Sequence, residues 1–136
     1  MTDQDFLQIA IDEGNKQLPP RNFGAVIMKD GEILGQGHNH VYEDNDPSAH
    51  AEIAAIRAAA QNLGTKDLSG CTMYGSHEPC LMCFSCAGWA NIDRIVYAHT
   101  ANEQNFSYEF DGVNLQDLAK KFTRRNVSVE HVPLHH

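Results

Sequence analysis

His50-Ala51-Glu52, followed downstream by Pro79-Cys80-Leu81-Met82-Cys83, places one imidazole, two thiols and one spare carboxylate in a single short chain. Histidine and cysteine are the usual zinc ligands. A structural zinc site closes its tetrahedron with four protein donors, whereas a catalytic site keeps three and leaves the fourth position to water. His50, Cys80 and Cys83 make three, and Glu52 is left over, two residues from the imidazole. That set predicts a Zn2+ cofactor with an open position, whose bound water drops in pKa from 15.7 to about 7. Glu52 then takes that water's proton and returns it to a departing nitrogen.

The spacing also predicts how the donors meet. Residues 47–60 are rich in strong helix formers and open with Pro47 and Ser48, which suit a helix start. His50 and Glu52 are expected in the first turn, where unsatisfied N–H groups and the positive helix end favour anions. Cys80 and Cys83, three apart with Pro79 as the first helical residue, are expected on one face of a second helix. Cys86 extends the run to Cys80-x-x-Cys83-x-x-Cys86, which raises a three-cysteine structural site, but Cys86 and Cys71 read better as buried hydrophobes.

The elements that must carry these groups follow from periodicity. Residues 3–18 read as a helix ended by Pro19-Pro20. Residues 23–28 and 33–38 read as an antiparallel pair around the Asp30-Gly31 turn. The first metal helix, a strand over 71–74, the cysteine helix and a strand over 94–97 come next, implying a parallel portion. Residues 115–122 read as a short helix and 127–132 as a final strand. The expected fold is α/β, three-layered, with a mixed sheet of about five strands and the ligands at one end of it.

Length and charge narrow the rest. At 136 residues and 15.1 kDa the chain fits one domain, residues 1–136. Two of its four cysteines are committed to metal, no apolar run reaches membrane-spanning length, and the first residues are acidic where a secretory signal is basic. A soluble, cytoplasmic protein without a membrane partner is expected. A net charge of −8 argues against a nucleic-acid partner, and the cluster Lys120, Lys121, Arg124, Arg125 reads as the solvated face of a helix.

On these residues the chain resembles the cytidine deaminase-like superfamily, in the branch that holds guanine, cytosine and tRNA adenosine deaminases. H-x-E followed by P-C-x-x-C is the known signature of zinc nucleobase deaminases. The resemblance also runs through residues 23–27, Gly37-His38-Asn39 and Asn45-Asp46-Pro47-Ser48-Ala49. It implies His50, Cys80 and Cys83 as zinc ligands, Glu52 as proton shuttle, Asn39 contacting the substrate ring, Ala51 offering its backbone N–H, and a homodimer.

Read from the residues, Asn39 is either a ring contact or a turn residue, and Phe23 packs either in the core or beneath a base. The 106–111 segment, with Phe106, Tyr108, Glu109, Phe110 and Asp111, is either a lid that stacks on and reads a ring or a hydrophobic plug. The guanine branch fits best, through Asn45-Asp46-Pro47, Tyr97-Ala98 and Phe110-Asp111. Two departures stand against it: an aromatic, acidic C-terminal extension is not evident after Val132, and His77 differs from that branch. The expected substrate is a small nucleobase-like heterocycle. Cytosine, isocytosine, an aminotriazine, tRNA adenosine and a silent zinc-binding interaction module remain the alternatives.

Overall fold

The structure is a computed structural model, and it describes residues 1–100, 113–123 and 125–134. The elements run α1 (Asp3–Gly14), β1 (Gly24–Lys29), β2 (Glu32–His38), α2 (Ala51–Leu63), β3 (Thr72–His77), α3 (Leu81–Trp89), β4 (Arg94–His99), α4 (Leu115–Ala119) and β5 (Ser128–His131). The strands lie in the order β2-β1-β3-β4-β5. β1 pairs antiparallel with β2 and β3, while β3–β4 and β4–β5 are parallel, so the expected mixed, five-stranded sheet is present.

Both sheet faces are covered, which is why β1 reads as an unbroken apolar run rather than an alternating one. Ala25 and Ile27 face a core built with α2, α3 and α4; Val26 and Met28 face a second core closed by Leu7 and Ala10 of α1. Asp30 and Gly31 link β1 to β2 with φ of 51° and 78°, the left-handed pair that a two-residue hairpin turn needs.

The height of α2 over the sheet is set by two glycines. A Cβ on Gly35 would lie 2.5 Å from Ala59 N, and one on Gly37 would lie 2.6 Å from Ala54 Cβ and 2.7 Å from Ala55 N. Only bare strand backbone lets the alanine-rich helix sit that close, and α2 is the helix that begins at His50.

Two helices are shorter than the periodicity suggests. α1 carries a capping box from Thr2 and Asp5, but ends at Gly14 rather than at residue 18. At Gly14 a Cβ would meet Asn22 O and Gly24 N at 2.7 Å, so the chain turns aside there to let β1 enter, and Leu18 is left 82% exposed. α4 stops at Ala119 rather than at Phe122, because Phe122 turns in to meet Phe84 at 5.5 Å between ring centroids and to cover Gly88. Lys120 and Arg125 therefore lie beyond the helix, paired with Asp117 and Asp93.

Arg94 ties three elements together. Its guanidinium donates to Asp3 at the start of α1 (2.9 and 2.6 Å) and to Glu130 on β5 (2.5 and 3.1 Å), and Tyr74 Oη donates to Asp3 at 2.7 Å. The hydrogen bonds from Arg94 hold both carboxyls below their usual range. A lowered carboxyl pKa contributes stability that is present above the unfolded value, near 4, and lost as pH falls through the folded value. These groups are partly exposed, so screening limits the contribution to about 1 kcal/mol. Arg94→Ala should accordingly lower Tm at pH 7 and much less at pH 3, measured by thermal melts across that range. An equal deficit at both pH values would show that the ion pairs are not its source.

Candidate metal centre

His50 and Cys80 occupy the same structural position, the residue just before a helix. Each is an N-cap with extended backbone, φ −69° and ψ 161° for His50, φ −74° and ψ 173° for Cys80. N-cap side chains usually turn back onto the first-turn N–H groups; neither of these does. Both are aimed instead at one point, as the first intrahelical bonds, Ala54 N–H to His50 O (3.0 Å) and Phe84 N–H to Cys80 O (2.9 Å), close behind them. The sequence expectation is thus early at both sites: His50 is the N-cap that precedes its helix, and Pro79, expected as the first helical residue, lies two positions before Leu81.

The convergence survives because Cys83 is the third helical residue. N-cap and third-residue side chains face one another at any helix start, which is the geometry capping boxes use. Here the pair is sulfur and sulfur. Cys80 Sγ, Cys83 Sγ and His50 Nδ1 form a triangle with all three edges at 3.6 Å. For Zn–S near 2.3 Å and Zn–N near 2.0 Å in tetrahedral geometry, these edges should be about 3.8 Å between sulfurs and about 3.6 Å between sulfur and nitrogen. The residues fit a zinc ion with three protein ligands. They are the one group of three potential ligands brought together among the described residues.

Glu52, the second residue of α2, is buried beside the triangle, 8% exposed. Burial pushes its carboxyl up to about 7, helped by repulsion from Cys80, while its own backbone N–H and the Cys83 thiol pull the other way. The two thiols share one proton. The hydrogen bond between the two sulfurs holds Cys80 down to about 4, and the same bond, with burial, drives Cys83 well above the ordinary thiol range. A dication in the triangle takes the place of that proton and leaves both sulfurs anionic.

The supporting loops are fixed by polar contacts. Asp46 Oδ1 accepts from Ser48 N–H (2.8 Å) and Oγ–H (2.7 Å), His40 N–H bonds Ala49 O at 2.9 Å, and Glu78 N–H bonds His99 O at 2.8 Å. Ala51, fully buried between the ligand and Glu52, has a first-turn N–H that the helix itself does not use. Asn39 follows β2, and its Oδ1 accepts from Val41 N–H at 3.0 Å, so the amide oxygen braces its own turn. Phe23 is half-buried against the core cluster, with its ring edge-on to His77 at 4.6 Å. Cys86 packs half-buried on the same cluster and Cys71 is core, as expected. Tyr108, Glu109, Phe110 and Asp111 lie outside the described residues.

One buried group has no counterpart in the sequence reading. Ser76, 1% exposed, accepts from Gly24 N–H at 3.0 Å and bonds His77 Nδ1 at 2.7 Å. Its signal in the sequence was a hydroxyl and an imidazole at the end of an otherwise apolar strand.

Residues 1–99 match the family model of the cytidine and deoxycytidylate deaminase zinc-binding region. The chain belongs to this family. Within the deaminase family it is 48% identical over 91 residues to the guanine deaminase of Bacillus subtilis (strain 168), covering 65% of this chain and 58% of that one. It is 39% identical over 95 residues to the tRNA-specific adenosine deaminase of Aquifex aeolicus, covering 68% and 63%. The chain thus spans about three-fifths of the length of the curated relatives it matches. An X-ray structure of the Bacillus subtilis guanine deaminase superposes with a TM-score of 0.75 at 34% identity, over 100% of this chain and 85% of that one. The expected three-layer deaminase fold and zinc-type ligand set are both present. No helix among the described residues is long and apolar enough to cross a membrane.

Removing one corner of the triangle should remove the metal. Cys83→Ala is expected to lose most of the roughly one zinc per chain that the three-ligand site implies, measured by elemental analysis of protein purified without chelator. Full zinc retention in that variant would remove Cys83 from the ligand set.

Proposed function

We propose that this chain is a hydrolytic nucleobase deaminase, one that replaces an exocyclic ring amine by oxygen and releases ammonia, with guanine the favoured ring. What carries the reading is the buried Glu52 carboxyl beside three donors spaced for one zinc ion. A purely structural site has no use for such a carboxylate.

Zinc bound there would acidify a water and so supply a nucleophile at neutral pH. The chain's own residues do the rest. Glu52 accepts one proton from the attacking water and passes it to the ring nitrogen, then takes the second from the hydroxyl added to the ring carbon and delivers it to the amine as it leaves. Water plus aminated ring becomes oxo ring plus ammonia, and Glu52 ends as it began. Ala51 N–H and the Asn39 Nδ2 donor orient the ring, Phe23 bounds one side, and Tyr108, Glu109, Phe110 and Asp111 supply the remaining substrate-binding groups. The unit acts as one domain and as a homodimer, which light scattering tests directly.

The charge of −8 supports a free base over an RNA, since phosphate-driven binding draws on lysine and arginine. The likeness to a tRNA-specific adenosine deaminase supports the second reading, adenosine within tRNA. Ammonia release from guanine, cytosine, isocytosine, adenine, their nucleosides and aminotriazines separates the two, alongside tRNA binding at low salt. Guanine should be turned over fastest and tRNA bound weakly; the reverse pattern selects the RNA substrate.

Glu52→Ala is expected to keep its zinc and lose at least about 10²-fold in kcat, the usual contribution of a positioned proton shuttle. Wild-type turnover by the zinc-loaded variant would reassign the proton path.

A further inference from the structure

The loop between β2 and α2 runs from Asn39, the residue after the strand, to His50, the ligand at the helix start. His40 N–H bonds Ala49 O at 2.9 Å, which closes residues 40–49 at a narrow neck. Asn39 and His50 are the next residues outward, one on each side of that neck. Whatever fixes the backbone at Asn39 therefore fixes it beside the metal centre.

Three side chains from the end of α1 and the residues after it grip this loop. Glu13, 7% exposed, binds His38 Nδ1 at 2.6 Å through one carboxylate oxygen and Lys16 Nζ at 2.9 Å through the other. Gln17 Nε2 donates to Asn39 O at 3.0 Å and to the Glu43 carboxylate. Arg21 lays its guanidinium 4.4 Å from the centroid of the Tyr42 ring. The grip has a firm base. A Cβ on Gly24 would collide with Ala10 O and Gly14 N, so α1 rests directly on the strand whose first residue, Gly24, pairs with His38.

Of the three, Gln17 is the one that touches Asn39. Both of its partners are acceptor oxygens, so the atom between them is the amide nitrogen and each of its hydrogens is used. Asn39 is thereby held at three atoms: its N–H donates to Phe23 O at 3.3 Å, its carbonyl accepts from Gln17, and its Oδ1 accepts from Val41 N–H at 3.0 Å. The Val41 bond orients the side-chain amide, and the Gln17 bond fixes the peptide from which that amide hangs.

We propose that Gln17 is a positioning residue for substrate binding, which acts by holding the Asn39 peptide so that its side-chain amide meets the heterocycle in one orientation. The proposal rests on the nucleobase reading of this site, with Asn39 as its ring contact. Binding should depend on Gln17 and bond chemistry should not, because its contacts are with the loop, while His50 is held separately by α2 and the Asp46 turn.

The test uses the zinc-loaded full chain with guanine as substrate. Gln17→Ala should raise KM about fivefold, the scale of one hydrogen bond, with kcat, zinc content and Tm close to wild type. Gln17→Glu keeps the shape but loses both hydrogens and opposes the Glu43 carboxylate, so it should raise KM at least as much. Gln17→Lys, which keeps a donor, should recover part of the loss. Asn39→Ala should raise KM by itself, and Gln17→Ala added to it should raise KM no further, since a residue acting through Asn39 then has nothing to act on. Hydrogen exchange gives a readout without substrate: Val41 N–H, whose acceptor is Asn39 Oδ1, should exchange about fivefold faster in Gln17→Ala. An unchanged KM in Gln17→Ala, additive effects in the double variant, a fall in kcat and zinc content alongside KM, or unchanged exchange at Val41 would each overturn the proposal. Absence of ammonia release from every base would overturn the deaminase reading instead, and the Val41 exchange rate would still decide whether Gln17 holds Asn39.

Discussion

Bringing three soft donors to within 3.6 Å of one another is a backbone problem before it is a metal problem. The weak contacts between two sulfurs and an imidazole cannot by themselves fix two elements of the chain, so the fold must hold them in place. Here it is the meeting of two helix starts over one sheet. Each contributes its N-cap, a residue whose extended backbone sends the side chain across the helix end rather than along it. Gly35 and Gly37 set how closely α2 lies on β2, and the β3–α3 turn is tied to β4 through Glu78 N–H and His99 O. Each contact is far from zinc chemistry, yet each sets a helix start on which the 3.6 Å triangle depends.

The electrostatics follow from that geometry. Two thiols and a carboxyl share a buried corner with a single imidazole, and the charges cannot all form there unaided. The hydrogen bond between the sulfurs favours the Cys80 thiolate and pushes Cys83 up, while burial, helped by the Cys80 charge, pushes Glu52 up to about 7. A dication reverses this arrangement, satisfying both sulfurs at once. The positive ends of α2 and α3 act in the same sense, since their first-turn N–H groups point into the corner. Binding the metal and ionising its ligands are one event.

Much of this was legible in the sequence, for identifiable reasons. His50, Glu52, Cys80 and Cys83 announce themselves because few chains combine those types at those intervals beside prolines. The Asp30-Gly31 turn and the alternation from strand to helix gave the mixed sheet. Periodicity overran the ends of α1 and α4 because an apolar repeat cannot register a tertiary collision: Gly14 ends its helix against Gly24, and Phe122 leaves its helix to fill the space over Gly88. Nor could it supply the Ser76–His77 bond, which depends on β1 delivering Gly24 N–H to the hydroxyl from 52 residues away.

Bond chemistry and substrate choice make separate demands on the chain. The family match ends at residue 99, and every zinc ligand, with Glu52, falls inside it. Likeness to both a guanine deaminase and a tRNA-specific adenosine deaminase is what shared bond chemistry would produce, because hydroxide attack and proton return are indifferent to what surrounds the aminated carbon. Discrimination must come from groups that touch the remainder of the ring. Such groups can stand inside the matched region or beyond it.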